Sequence, residues 1–206
     1  MRSTPRTRIF HTTVIAASLC LAATTAGTAG ATGGFGDVEH DAYYTDAVAW
    51  MVGEEITTGI ETGCFGPTLD VSRGQIAAFL HRLDASTGNN PVSGPHPFLD
   101  VRAGYQQEPV GWLFGEGLTT GISPTSFAPD RPISRGDFAV LLWRYAGAPS
   151  AAAGLPFGDV TRDYQRVAVA WMAEQDITTG TSPFRFDPDG AVTRAQAATF
   201  LFRYVD

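Results

Sequence analysis

Phe157-Gly158-Asp159-Val160 opens a stretch that continues through Tyr164, Trp171, Ile177-Thr178-Thr179-Gly180, Phe186 and Thr193-Arg194. The same pattern occurs twice earlier in the chain. Phe35-Gly36-Asp37-Val38 leads to Tyr43, Trp50, Gly59, Phe65 and Ser72-Arg73, and Phe98-Leu99-Asp100-Val101 leads to Tyr105, Trp112, Gly121, Phe127 and Ser134-Arg135. In every copy the tryptophan follows the tyrosine by seven residues and the arginine follows the phenylalanine by eight. The copies start 63 and 59 residues apart, and nearly all the slack lies in the joints. Fixed spacing over three copies makes the unit of structure a repeat of roughly 50 residues, and repeat proteins bind along surfaces more often than they catalyse.

Within one copy, Tyr164, Val167, Ala168, Trp171 and Met172 recur at three- and four-residue spacing, which makes one apolar helix face. Thr-Thr-Gly and the Gly/Pro-rich residues after it form a loop in which the glycine takes a positive φ. A second helix begins at the hydroxyl residue. Ser72 is its N-cap and Gln75 its third residue, a capping box with Val71 as staple. Val192, Thr193 and Gln196 repeat this, while copy two has Ile133, Ser134 and Asp137. The second helices offer stripes of Ile76, Phe79, Leu80 and Leu83, of Phe138, Leu141, Leu142 and Tyr145, and of Ala197, Phe200, Leu201 and Tyr204. An amphipathic stripe needs a partner. Three equivalent stripes meeting on a threefold axis supply it. The expected fold is therefore all-α: three helix–loop–helix repeats around a three-helix core, with the first helices outside. Pro109 stands where the other copies have Ala47 and Ala168. A proline inside a helix costs about 3 kcal/mol, so a shortened or kinked first helix is expected in copy two.

Residues 1–31 read as a secretory signal. Arg2, Arg6 and Arg8 precede a mostly apolar run from Ile9 to Ala23, and Ala29-Gly30-Ala31 fits a cleavage site. The run is too short and too diluted by Ala and Thr for a membrane span. The organisation that follows is signal 1–31, repeat one 32–84, linker 85–97, repeat two 98–146, linker 147–156 and repeat three 157–206. Removing the signal leaves Cys64 as the sole cysteine, aligned with Ser126 and Arg185, so the position demands no thiol. The chain has 14 arginines and no lysine. Beyond residue 31, 11 arginines stand against 21 acidic residues, leaving −10. That balance argues against nucleic acid or a membrane surface as the main partner. It leaves room for a local arginine site that takes an anionic group.

Arg73, Arg135 and Arg194 each fall at the first position of a helix, where a cation is mildly unfavourable. Repeating that mismatch three times needs a reason. Either each arginine pairs with Asp37, Asp100 or Asp159, or arginine plus free helix N–H groups make an anion pocket. The two are compatible. Trp50, Trp112 and Trp171 invite a sugar-stacking reading, while their helical spacing equally makes them core. Catalysis finds little support: His40, His81 and His96 do not recur between copies, and no nucleophile elbow, zincin motif or paired cysteine ligands occur. Asp187-Pro188-Asp189-Gly190 reads as a turn, lacking the further ligands of a calcium loop. No cofactor and no metal are expected.

These residues resemble S-layer homology repeats over essentially the whole chain beyond residue 31. The opening Phe-x-Asp-Val, the Ile/Leu-Thr-Thr-Gly turns, Phe65-Gly66-Pro67, Phe127-Ala128-Pro129 and Phe186-Asp187-Pro188, and Thr193-Arg194-Ala195-Gln196 carry the likeness. Ser72-Arg73-Gly74-Gln75 and Ser134-Arg135-Gly136-Asp137 are looser matches, and the family's glutamate is replaced by Gln75, Asp137 and Gln196. The resemblance implies a pseudo-trimeric helical spindle. It implies non-covalent attachment to cell-wall polysaccharide, in many members a glycan bearing a pyruvate ketal. Carried over, the binding residues in grooves between repeats are Arg73, Arg135, Arg194, Asp37, Asp100, Asp159, Gly59, Gly121 and Gly180. The expectation is an exported, wall-associated, non-enzymatic binding protein. Structural self-assembly or protein–protein interaction at the cell envelope, and a wall-active hydrolase, stand as alternatives.

Overall fold

The computed structural model describes residues 32–206, so the expected signal segment 1–31 lies outside the described residues. Six helices follow in chain order: α1 Thr45–Gly53, α2 Arg73–Ser86, α3 Gly104–Gly115, α4 Arg135–Tyr145, α5 Asp163–Glu174 and α6 Arg194–Val205. Among the described residues the only β contacts are isolated bridges, and no helix is long and apolar enough to cross a membrane.

Helix packing runs between repeats. α2 packs on α3, α4 on α5, and α6 on α1. Each second helix therefore lies against the first helix of the following repeat, and the third repeat closes on the first. The second helices meet through side chains, with the Phe138 and Phe200 rings 5.3 Å apart and the Tyr145 and Tyr204 rings 5.9 Å apart.

A backbone ring holds the centre. Val71 N–H donates to Val192 C=O at 2.8 Å, Val192 N–H to Ile133 C=O at 3.1 Å, and Ile133 N–H to Val71 C=O at 3.0 Å. These are the buried residues just before the N-caps of α2, α4 and α6. The next helical N–H groups are also met by the following repeat: Arg73 donates to Arg131 C=O and Gly74 to Pro129 C=O, with the same pattern at Arg135, Gly136, Arg194 and Ala195. A helix leaves its first N–H groups without intrahelical partners, and here a neighbouring loop satisfies them.

The capping boxes of Ser72–Gln75 and Thr193–Gln196 are both present. Ser134 accepts from Asp137 N–H, while the Asp137 side chain turns away to Arg131 and Tyr164. Of the shortening or kink expected in copy two's first helix, the shortening does not occur. α3 runs through a buried Pro109 for 12 residues, whereas α1 is the short one at 9. One more residue separates Phe35 from Tyr43 than separates Phe98 from Tyr105 or Phe157 from Tyr164. That extra residue is taken up by a turn in which the Thr45 hydroxyl donates to Glu39 C=O. At α3 the first linker supports the proline-bearing helix from outside: Ser93 Oγ donates to Glu108 C=O, and a Cβ on Gly111 would lie 2.4 Å from Gly94 O. Cys64 is buried and disulfide-bonded. The reading of Cys64 as the sole cysteine applies to a chain from which residues 1–31, with the other of the chain's 2 cysteines, have been removed.

Candidate functional site

Phe65, Phe127 and Phe186, all fully buried, are the points where repeats join. At Phe127 the peptide N–H donates to Asp100 Oδ1 at 2.9 Å, from its own repeat. Its C=O accepts from Arg73 Nε at 2.8 Å, from the preceding repeat, and the Arg73 guanidinium lies 4.7 Å over its ring. Phe186 stands likewise between Asp159 and Arg135, and Phe65 between Asp37 and Arg194. Each aspartate also takes the next backbone N–H, at Gly66, Ala128 and Asp187. The expected arginine–aspartate pair is thus made through a phenylalanine peptide rather than as a direct ion pair. The cation at the helix start is held by a carbonyl and an aromatic face, which is how the fold tolerates it.

The predicted glycines have a conformational task. Gly121 sits at φ +78, and a Cβ there would meet Phe98 Cε1 at 2.4 Å and Ser126 O at 2.5 Å. Gly59 and Gly180 are equally confined, and each N–H is taken by the threonine two residues before it.

Two equivalent clefts open where three repeats come together. One, of about 320 Å3, is walled by Thr57-Thr58-Gly59-Ile60, by Gln75 and Arg82 of α2, by Tyr105 of the next repeat and by Arg194 of the preceding one. The other, of about 390 Å3, has Thr119-Thr120-Gly121-Ile122, Asp137, Arg144, Tyr164 and Arg73 in the same places, with Arg131 added. Of the predicted residues, Arg73 and Gly121 meet in one cleft and Arg194 and Gly59 in the other, while Arg135 and Gly180 line neither. The aspartates do not line them and act one step behind.

The electrostatics favour an anion. Burial pulls the Arg194 guanidinium down to about 10, partly countered by Asp37 and Tyr105, so it remains charged at neutral pH. Burial also lowers Arg73 and Arg135. Arg194 is 2% exposed, and its Nη2 is buried without a hydrogen-bond partner. The first N–H groups of the helices are already occupied, which corrects the expectation that they are free to receive an anion. The side chains must do that work alone.

Trp112 and Trp171 are buried, ring against Tyr145 and Tyr204, and Trp50 is half-buried on Phe202. They behave as core. The aromatic groups exposed at the clefts are Tyr105 at 54% and Tyr164 at 55%. Two further sets escaped the sequence reading as site residues. The cleft tyrosines were visible as an aligned position. Arg82, Arg144 and Arg203, ten residues after each cap, were visible as a second arginine repeat. These arginines donate to Ile56, Leu118 and Ile177 C=O at the end of the preceding helix, and Arg82 and Arg144 line the clefts.

The chain is 25% identical over 173 residues to an S-layer protein of Bacillus thuringiensis subsp. finitimus, covering 81% of this chain and 21% of that protein. It is 24% identical over 172 residues to an S-layer protein of Bacillus licheniformis, covering 81% and 19%. It is 30% identical over 130 residues to an endoglucanase of Bacillus sp. (strain KSM-635), covering 62% and 14%. The chain thus spans about a fifth or less of the length of these relatives. The S-layer homology domain matches residues 34–77, 97–139 and 156–198, more than half of the chain and one match per structural repeat, and the chain belongs to the S-layer homology family.

Proposed function

We propose that this chain is a non-catalytic anchoring module that attaches to cell-wall polysaccharide through the clefts between its repeats. The observation that carries the reading is Arg194, a residue of the cleft wall whose guanidinium Nη2 is buried with no hydrogen-bond partner among the described residues. An uncompensated buried donor on a cation costs more than a neutral one, and an acidic ligand group entering the cleft supplies the missing acceptor. A pyruvate ketal on a sugar suits it, since a carboxylate accepts charge-assisted hydrogen bonds from guanidinium. The exposed faces of Tyr105 and Tyr164 then suit the sugar ring itself. Family membership and the two S-layer relatives support attachment at the cell envelope. The likeness to an endoglucanase covers only 14% of that protein, which fits a shared anchoring segment rather than a shared active site.

Co-sedimentation with purified cell walls tests this. Replacing both Tyr105 and Tyr164 with Ala removes the exposed rings and, with them, one hydrogen-bond partner each of buried Gln106 and Gln165; checked for an intact fold by circular dichroism, this variant binds roughly tenfold or more weakly. Arg194→Gln, checked for an intact fold by circular dichroism, does the same. Full binding by both folded variants would remove the cleft from the account.

A further inference from the structure

The first linker builds a third cleft that the repeat pattern does not call for. After α2 the chain passes over α3, held by Ser93 Oγ on Glu108 C=O and by Asn89 Nδ2 on Asp84 Oδ1 at 2.9 Å. The second linker is tied differently, with Ala152 N–H donating to Glu174. Between the first linker, α2, α3 and α4 lies a space of about 350 Å3 walled by Asp84, Asn89, Asn90, Glu116 and Tyr145 over a floor that includes Trp112. Leu118 lines both this space and the Arg73 cleft, so the two adjoin. Its volume falls within the roughly 300–1,000 Å3 of small-molecule sites.

The chemistry of the walls differs from that of the arginine clefts. No cation lines this space, and two carboxylates do. Asp84 Oδ1 takes Asn89 and the Tyr145 hydroxyl, while Oδ2 stays open as an acceptor. The amides of Asn89 and Asn90 and the carboxylate of Glu116 add donors and acceptors that match sugar hydroxyls, which both give and accept. An acidic group would be repelled here. A metal ion is not favoured, since no group of three or more His, Cys, Asp or Glu side chains gathers among the described residues.

We infer that this linker cleft is a neutral-sugar subsite, taking the uncharged residue next to the acidic sugar held in the adjoining Arg73 cleft. The inference rests on the anchoring function proposed above. It gives the chain a ligand at least two sugars long at this junction, with the charge recognised on one side of Leu118 and the hydroxyls on the other.

Titration calorimetry of the purified chain with two probes tests it: oligosaccharides released from the wall polysaccharide, and pyruvate. The double variant Asn90→Ala/Glu116→Gln changes two exposed side chains that hold no other part of the fold. It weakens the oligosaccharide by roughly tenfold and leaves pyruvate affinity and the melting temperature unchanged. Unchanged oligosaccharide affinity in this variant, alongside weakened affinity in Tyr164→Ala, would overturn the subsite and keep the arginine cleft. Unchanged affinity in both variants would overturn the subsite together with the cleft reading beneath it.

Discussion

At Phe127 a single peptide serves two repeats, its N–H bound by Asp100 and its C=O by Arg73. The aspartate's role has a pH signature. Burial raises the Asp100 carboxyl, but hydrogen bonds from the Ser126 hydroxyl and from Phe127 and Ala128 N–H outweigh it, and the net shift is below the ordinary 3.8. Asp159 behaves alike, its burial outweighed chiefly by Phe186 and Asp187 N–H. A carboxyl lowered on folding contributes stability that is complete above its unfolded value and lost as pH falls through the folded one. These two carboxyls should therefore lose their contribution to stability as pH falls below about 4. Asp100→Asn is less stable than wild type at pH 7, and the gap narrows at pH 3 in urea unfolding; a constant gap would contradict this role. The glycine of the adjacent turn is equally testable. Gly121→Ala forces a side chain onto φ +78 and into Ser126 O, and costs about 1–3 kcal/mol or more by the same measurement.

At the scale of helices, the contact between one repeat's second helix and the next repeat's first helix explains a sequence departure. Copies one and two carry Gly74 and Gly136 after the arginine, where copy three has Ala195. A Cβ on Gly136 would lie 2.3 Å from Gln165 Nε2, and one on Gly74 would lie 2.5 Å from Gln106 Nε2. Both glutamines are buried in the facing helix and bond the hydroxyl of the cleft tyrosine beside them. The first repeat has Tyr44 in that place, and copy three, whose second helix packs on the first repeat's α1, carries a buried Ala195. Gly136→Ala should cost about 1–3 kcal/mol. Gly136→Ala with Gln165→Ala should cost less than the sum of the singles, and strict additivity would deny the contact. The helix starts were legible because Ser72, Ser134 and Thr193 announce caps within the local sequence. The partner of each first helix was not, because amphipathic spacing gives a face and not the neighbour that covers it. Pro109 misled for a related reason: its cost is local, while the linker that supports α3 is fifteen or so residues away in the chain.

For the molecule as a whole, closure is the governing property. The ring of Val71, Ile133 and Val192 has no two-membered form, and the helix that packs on α1 is α6. A chain ending at residue 146 leaves α1 uncovered and Phe65 without Arg194, and it should fail to give the cooperative thermal transition of the full chain. Repeats that folded independently would retain it. The same closure hid part of the site. Repeated arginines and glycines were visible in the sequence, but each cleft draws on three repeats, so the tyrosine that faces Arg194 or Arg73 could not be paired with it by spacing. Attachment to wall polysaccharide is tested most directly by co-sedimentation of the purified protein with cell walls, before and after acid stripping of their polysaccharide. Binding that disappears on stripping is the predicted result; equal binding to stripped walls would contradict a polysaccharide ligand.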